Sequence, residues 1–411
     1  MLPNVLVISN DPFSKENANG RTLGNFFLDY PKNQLAQLFL NDAPLDLIDC
    51  SYFQISDQNL LDHFTKFRSV GQIRKYSAET PSFVQNSHPS VKKNPWTCLL
   101  RDKLWKTKAW STKRLWLWIY SFKPAIVLLQ AGDMPYLYDL ALIIAKKTQS
   151  KLVIYNSEDY YFKTWNYMLD ENGHKNLYPR FHKRFCKIFE KAMAYASLCI
   201  YNSECLQEDY QKAFPDNKSQ VLYTLSTWTP TPYVPKDGRF QVTYFGNISD
   251  GRADSLIDVA NALSNLGKSY SFDVYGPVGR EKDLQKLQFC PYLHYHQPVS
   301  YDQVRQLAED SDLLIHVESF DPFIAKDRKN AFSTKIMDCL ASGRPFLLYA
   351  PKEMAESRFL QEKNLAECAN NKLELASVFS GFVNPEARSF GGKETFVGGS
   401  ENISDYLIGL L

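Results

Sequence analysis

The run Phe332-Ser333-Thr334-Lys335-Ile336-Met337-Asp338-Cys339-Leu340-Ala341-Ser342-Gly343-Arg344-Pro345 holds residues that could bind a phosphate. Ser333 or Thr334 caps a helix whose first turn carries Lys335. Gly343 ends that helix, and Pro345 opens a strand. A helix N-terminus offers unbonded N–H groups and the positive end of the dipole, so it suits an anion. Lys335 adds a full charge there. Asp338 lies one turn further on, where a carboxylate suits a ribose hydroxyl pair. A second constellation is Tyr244-Phe245-Gly246-Asn247-Ile248-Ser249-Asp250-Gly251-Arg252. Here a strand runs into a glycine turn, and Arg252 opens a helix. Glycine lets backbone approach a ligand closely, and arginine forks onto a diphosphate. Tyr275-Gly276-Pro277 repeats the strand-then-glycine pattern. Taken singly, a capped helix and two ordinary strand-to-helix turns would look the same.

Other residues with chemical potential read as structural. Asp310-Ser311-Asp312 has the Asp-x-Asp form of a metal–nucleotide motif, but it precedes the strand Leu313–Val317 and reads as a helix-end loop. The seven His show no metal spacing. His294 and His296 share one face of a strand, and His316 lies in a core strand. No pair of the eight cysteines is spaced as C-x-x-C, which predicts buried free thiols and no zinc site or disulfide framework.

These residues need strands and helices to place them. Short apolar strands alternate with amphipathic helices twice along the 411 residues, which predicts two parallel-sheet α/β domains. Strands are expected at Val5–Ser9, Gln34–Leu40, Asp46–Asp49, Ala125–Leu129, Leu152–Tyr155 and Leu198–Tyr201. Beyond the Pro-rich stretch Thr227–Gly238 they resume at Gln241–Phe245, Ser271–Tyr275, Leu313–Val317 and Pro345–Leu348. The expected division is residues 1–226, a linker at 227–238, a second domain at 239–400 and a terminal helix at 401–411. In such sheets ligands bind beyond the carboxyl ends of the strands. The loops there carry Gly20, Arg21, Asp133, Glu158 and Asp159 in the first half, and Gly246, Arg252 and Glu318 in the second.

The second half resembles the nucleotide-sugar half of bacterial GT-B glycosyltransferases, especially the family 4-like enzymes of capsule and surface polysaccharide synthesis. The resemblance rests on Phe245-Gly246-Asn247, Phe272-Asp273-Val274-Tyr275-Gly276, His316-Val317-Glu318-Ser319-Phe320 and the Ser333–Pro345 run. It covers Gly238–Leu348 and extends to the rest by architecture, with Ser203-Glu204 after a strand in the first half. It implies a GT-B fold, two Rossmann-like domains facing across a cleft, with the terminal helix packing back toward the junction. Asp338 matches the second acidic position of the Glu-x7-Glu motif, which in relatives holds the donor ribose. The first position falls on Asn330, and Glu318 is the candidate for the missing carboxylate. Gly246, Asn247, Arg252, Ser333, Thr334 and Lys335 would bind the donor diphosphate. The family pattern predicts no metal or other cofactor, because side chains and a helix end neutralise the leaving diphosphate. In the first domain Gly20 and Arg21 would contact the acceptor. One of Asp133, Glu158 or Asp159 would act as base or orient the acceptor hydroxyl.

The implied reaction moves a sugar from a nucleotide-sugar donor, expected to be a UDP-sugar, to a saccharide on a lipid or protein carrier, with retention. Two alternatives stay open: a non-catalytic partner subunit of an active homologue, and a sugar-nucleotide epimerase of the same fold. Aromatic residues make up 14% of the chain, and Trp96, Trp105, Trp110, Trp116 and Trp118 fall in one stretch rich in Lys and Arg. A Trp–Lys helix suits an anionic membrane surface, so peripheral contact through 96–118 is expected. The net charge of +2 argues against a nucleic-acid partner. The N-terminus has no signal-peptide pattern, and no apolar run spans a bilayer, which predicts a cytoplasmic protein working at the inner face of the membrane.

Overall fold

Val5–Ser9 is apolar and β-branched and is buried from end to end, as the centre of a parallel sheet covered on both faces must be. A computed structural model describes residues 2–15, 17–77, 93–168, 174–224, 226–234, 238–266, 269–383 and 403–410. The chain divides into two units, Met1–Thr224 with Ser400–Leu411, and Leu225–Gly399.

The first unit runs β1 (Val5–Ser9), α1 (Ala18–Asn25), β2 (Leu35–Phe39), β3 (Ser51–Gln54), α2 (Asp57–Lys66) and β4 (Gln72–Arg74). It continues with α3 (Pro95–Lys106), α4 (Lys113–Phe122), β5 (Ile126–Gln130), α5 (Pro135–Thr148) and β6 (Lys151–Asn156). It closes with α6 (Tyr178–Met193), β7 (Ala196–Tyr201), α7 (Glu204–Ala213) and β8 (Ser219–Val221). The eight strands pair in the order β4-β3-β2-β1-β5-β6-β7-β8, parallel except at β4. The order reverses between β1 and β5, so the loops after these two strands flank the crevice at this switch point.

The second unit runs β9 (Phe240–Phe245), α8 (Arg252–Ser264), β10 (Tyr270–Tyr275), α9 (Glu281–Phe289), β11 (His294–His296), α10 (Tyr301–Asp310) and β12 (Leu313–Val317). Then come α11 (Pro322–Arg328), α12 (Thr334–Ala341), β13 (Phe346–Tyr349), α13 (Ala355–Glu362), β14 (Glu367–Ala369) and α14 (Lys372–Val383). The strand order β11-β10-β9-β12-β13-β14 is parallel throughout. Its reversal lies between β9 and β12. The last helix, α15 (Ile403–Ile408), belongs to the first unit, where Ile403 and Leu407 share a core with Val5, Val7 and Leu222.

Two expectations need correction. Asp46–Asp49 is not a strand; the strand is Ser51–Gln54, and the Asp46 carboxylate instead takes the Lys15 N–H at 2.9 Å. The aromatic stretch 96–122 is two helices, and most of its tryptophan faces inward. Trp105 stacks on Tyr136 with centroids 4.6 Å apart, and its indole N–H donates to Asp57 at 2.7 Å. Trp110 donates to the Trp105 carbonyl at 3.2 Å, and Trp118 donates to Ser51 at 2.8 Å. A buried indole needs an acceptor for its one donor, and each of these three finds one inside. They therefore do not form a membrane-facing patch. Among the described residues no helix is long and apolar enough to cross a membrane.

Candidate functional site

In the second unit the parallel strands bring the C-terminal ends of β9, β10, β12 and β13 to one edge. Gly246 follows β9, Gly276 follows β10, Glu318 follows β12, and Glu356 opens the helix after β13. The close approach of the first two loops depends on glycine: a Cβ on Gly276 would sit 1.7 Å from the Gly246 carbonyl oxygen. A Cβ on Gly246 would sit 2.6 Å from the Cε of Lys335, so the missing side chain is the path along which that lysine runs. Ser333 caps α12 without a side-chain hydrogen bond. Its own N–H instead donates to Glu356 Oε1 at 2.6 Å. The first turn of α12, which carries Thr334 and Lys335, thus lacks the side-chain cap that Ser300 gives α10.

A charged cluster lies beside this helix end. Arg252, the first residue of α8, forks onto Glu318 Oε1 at 3.1 and 2.6 Å. His316 Nε2 lies 3.2 Å from the same oxygen and 3.9 Å from Glu356 Oε2. Burial alone would raise the Glu318 pKa, but Arg252 and His316 outweigh it and hold the carboxyl well below its usual range. Burial raises the Glu356 pKa, and the nearby Glu318 charge raises it further, so this carboxyl keeps its proton well above the usual range. Burial lowers the His316 pKa, which keeps the ring neutral. Lys335 is partly exposed, and among the described residues no carboxylate lies within ion-pair distance of it. Burial and the Arg252 charge both lower its pKa. With Glu356 protonated, the cluster holds two cations against one carboxylate. The surplus positive charge sits at an uncapped helix N-terminus, an arrangement that attracts an anion.

His316, Glu318 and Glu356 hold their donor atoms within 4.8 Å of one another, close enough to be tested as metal ligands. Arg252 already occupies Glu318, and Lys335 adds a second positive charge nearby, so these residues fit a divalent cation poorly.

The Glu356 shift carries a pH prediction. A carboxyl whose folded pKa is raised stabilises the fold fully below the unfolded value, and that contribution is lost as pH rises through the folded value, here about 8. Glu356→Gln should therefore gain stability relative to wild type as pH rises from about 5 to about 8. Urea midpoints across that range check it, and a difference independent of pH would reject the assignment.

Asp338 is buried on α12, and its Oδ1 accepts from Ser226 at 2.6 Å and from Tyr301 at 2.8 Å. The Tyr301 ring packs on Trp228 at 5.6 Å, and Trp228 packs on Phe245 at 6.1 Å. Asn247 is exposed; its Oδ1 accepts the Ser249 N–H at 3.0 Å, and its carbonyl accepts from Tyr244 at 3.0 Å. Asn330 is buried. Asp312 of the Asp-x-Asp run accepts from the Gln241 N–H at 2.8 Å and from Tyr233 at 3.1 Å, which fixes it as a structural residue. Glu356, Ser226 and Tyr301 join the site without any motif in the sequence to mark them.

The first-unit candidates occupy their own strand ends. Gly20 stands where a Cβ would lie 2.0 Å from the Pro12 carbonyl oxygen, so glycine lets α1 close onto the loop after β1. Arg21 is partly exposed on α1, with a long 3.4 Å bond to the Lys15 carbonyl. Asp133, after β5, is buried. It pairs with Lys93 and accepts from Tyr167 at 2.6 Å. Asp159, after β6, is half-buried and accepts from the Phe162 N–H at 3.1 Å and from Tyr210 at 3.2 Å; desolvation raises its pKa. Glu158 beside it is half-buried.

No protein-family model matches the chain, and no curated protein matches it in sequence. Solved structures do match along its length. The lipopolysaccharide outer core galactosyltransferase WaaB, in its apo form, has a TM-score of 0.56 at 14% identity, with 99% of each chain covered. A variant of S. aureus TarM in complex with fondaparinux, alpha-GlcNAc-glycerol and UDP has a TM-score of 0.56 at 10% identity, covering 100% of this chain and 99% of that one. Sucrose-phosphate synthase from Thermosynechococcus elongatus has a TM-score of 0.55 at 8% identity, covering 99% of this chain and 94% of that one. At such identities the likeness is one of fold: two parallel-sheet α/β units in the GT-B architecture.

Proposed function

We propose that this GT-B chain is a glycosyltransferase that moves a sugar from a nucleoside-diphosphate sugar, expected to be a UDP-sugar, to a saccharide acceptor. The observation that carries the reading is the surplus positive charge of Lys335 at the uncapped start of α12, beyond the β9/β12 switch point. The bond that breaks joins the sugar to the outer phosphate, and the diphosphate leaves with added negative charge. Lys335 and the first-turn N–H groups would stabilise that charge, with Arg252 behind them. Asp338, oriented by Ser226 and Tyr301, would hold the ribose hydroxyls. Asp133 or Asp159 in the first unit would orient the acceptor hydroxyl. Transfer with retention, and an acceptor on a lipid or protein carrier in surface glycan assembly, belong to the same reading.

The likeness in fold to TarM, whose solved structure is a complex with UDP, supports the donor class. A non-catalytic partner subunit would have no use for an unpaired Lys335, which favours the enzyme. A thermal-shift screen of nucleoside diphosphates and their sugars tests the proposal. One diphosphate nucleoside should raise the melting temperature, and its sugar conjugate should be consumed when acceptors are added. No shift with any nucleotide would sink the reading.

A further inference from the structure

Residues 57–123 carry 13 Lys and Arg against 4 Asp and Glu, a net charge of +9 in a chain whose total is +2. The remainder of the chain is therefore acidic, and the positive charge is segregated rather than spread. Exposed apolar side chains concentrate in the same segment. Of the 15 exposed large hydrophobic residues among those described, 8 lie between Leu61 and Tyr120. Elsewhere they stand singly or in pairs, which is ordinary.

The C-terminal end of α2 is the sharpest case. Leu61 and Phe64 are one turn apart and about half exposed, and Phe67 follows as the helix C-cap, 92% exposed. Phe67 has φ 55° and ψ 31°, the left-handed backbone that a Cβ disfavours and that Gly or Asn usually fills at a helix end. The fold gains nothing from a phenylalanine there: the ring is outside the core, and the backbone is strained. Around it Lys66 and Arg68 share one carboxylate, Asp62, at 2.9 and 3.5 Å, so the tip stays net positive. On α4, Arg114, Leu117 and Tyr120 make a second exposed stripe of the same mixed kind. Leu60 of α2 and Trp118 and Ile119 of α4 belong to one core cluster, so both helices cover the same face of the sheet.

We infer that the α2 tip, Leu61–Phe64–Phe67, is a membrane-contact wedge that inserts among anionic lipid headgroups, with the surrounding lysines and arginines binding their phosphates. Apolar side chains ringed by cations match the boundary between anionic headgroups and acyl chains. A second copy of the chain would set one net-cationic segment against another, which repels. The inference is independent of the donor site, so the two readings can fail separately.

The test compares the intact protein with Phe64→Ser/Phe67→Asn by co-sedimentation with phosphatidylcholine vesicles, with and without phosphatidylglycerol. Wild type should bind the anionic vesicles about tenfold more tightly than the neutral ones, and the double variant should lose about tenfold of that binding. Its melting temperature should stay the same or rise, because Asn fits the left-handed backbone better. Equal binding by the variant, no preference for anionic vesicles, or no sedimentation at all each overturns the inference. So does a concentration-dependent dimer that the substitutions abolish, since that assigns the face to a second copy.

Discussion

Lys335→Ala should lower the affinity for the nucleoside diphosphate by about 10–100-fold, which is what losing a charge-assisted contact of about 1.5–3 kcal/mol produces. The size follows from the surroundings. Arg252 is already committed to Glu318, at 3.1 and 2.6 Å, so that pair offers little net charge to a ligand. Lys335 has no such commitment, and its partial burial leaves few water molecules to screen it. Its stem crosses the bare backbone of Gly246, so a longer arginine has no matching path, and Lys335→Arg should rescue only in part. The fold should be unharmed, because the alanine removes a cation that burial and the Arg252 charge both disfavour. Isothermal titration with UDP reads the affinity, and urea denaturation reads the fold. Unchanged affinity in a folded variant would place the diphosphate elsewhere.

The parts of this site differ in how legible they are from sequence, and the reason is chain separation. β9, β12 and α12 are plain because short, mainly apolar strands, the glycine after β9 and the serine before α12 mark them locally. Gly246, Arg252, Lys335 and Asp338 therefore stand out. Glu356 does not. It follows β13 without a spacing signal and enters the cluster only because β13 pairs with β12. Ser226 and Tyr301 reach Asp338 across 112 and 37 residues, which no local pattern records. The tryptophans fail for another reason. A Trp beside lysines has the same sequence signature whether its ring faces lipid or core, and only the acceptors on Asp57, Ser51 and the Trp105 carbonyl decide for three of them. The exposed α2 tip was hidden because Leu61, Phe64 and Phe67 continue a regular amphipathic pattern past the point where the core ends.

Glu318→Ala should cost about 3–5 kcal/mol of stability, the usual penalty for leaving a buried charge without its partner. Both members of the Arg252–Glu318 pair are largely withdrawn from water, and among the described residues Glu318 is the only hydrogen-bond partner of the Arg252 guanidinium. Removing the carboxylate strands a guanidinium beside Lys335 and frees Glu356 from its nearest negative neighbour. The Glu356 pKa should then fall, because Glu318 is one of the causes that raise it. Replacing both members, Arg252→Met with Glu318→Leu, should cost much less than the sum of the single changes, since no charge is left unpaired. The sign with pH is opposite to that of Glu356. A carboxyl held below its ordinary pKa stabilises the fold above the unfolded value, and this is lost as pH falls through the folded one, here about 2. Glu318→Ala should therefore narrow its deficit in strong acid, where wild type has lost the pair as well. Urea unfolding of the two singles and the double, at neutral pH and in acid, measures every corner of the cycle. Additive costs would mean that the pair is not energetically coupled. In that case Glu318 would be free to act as the missing acidic residue of the donor site rather than as the anchor of Arg252.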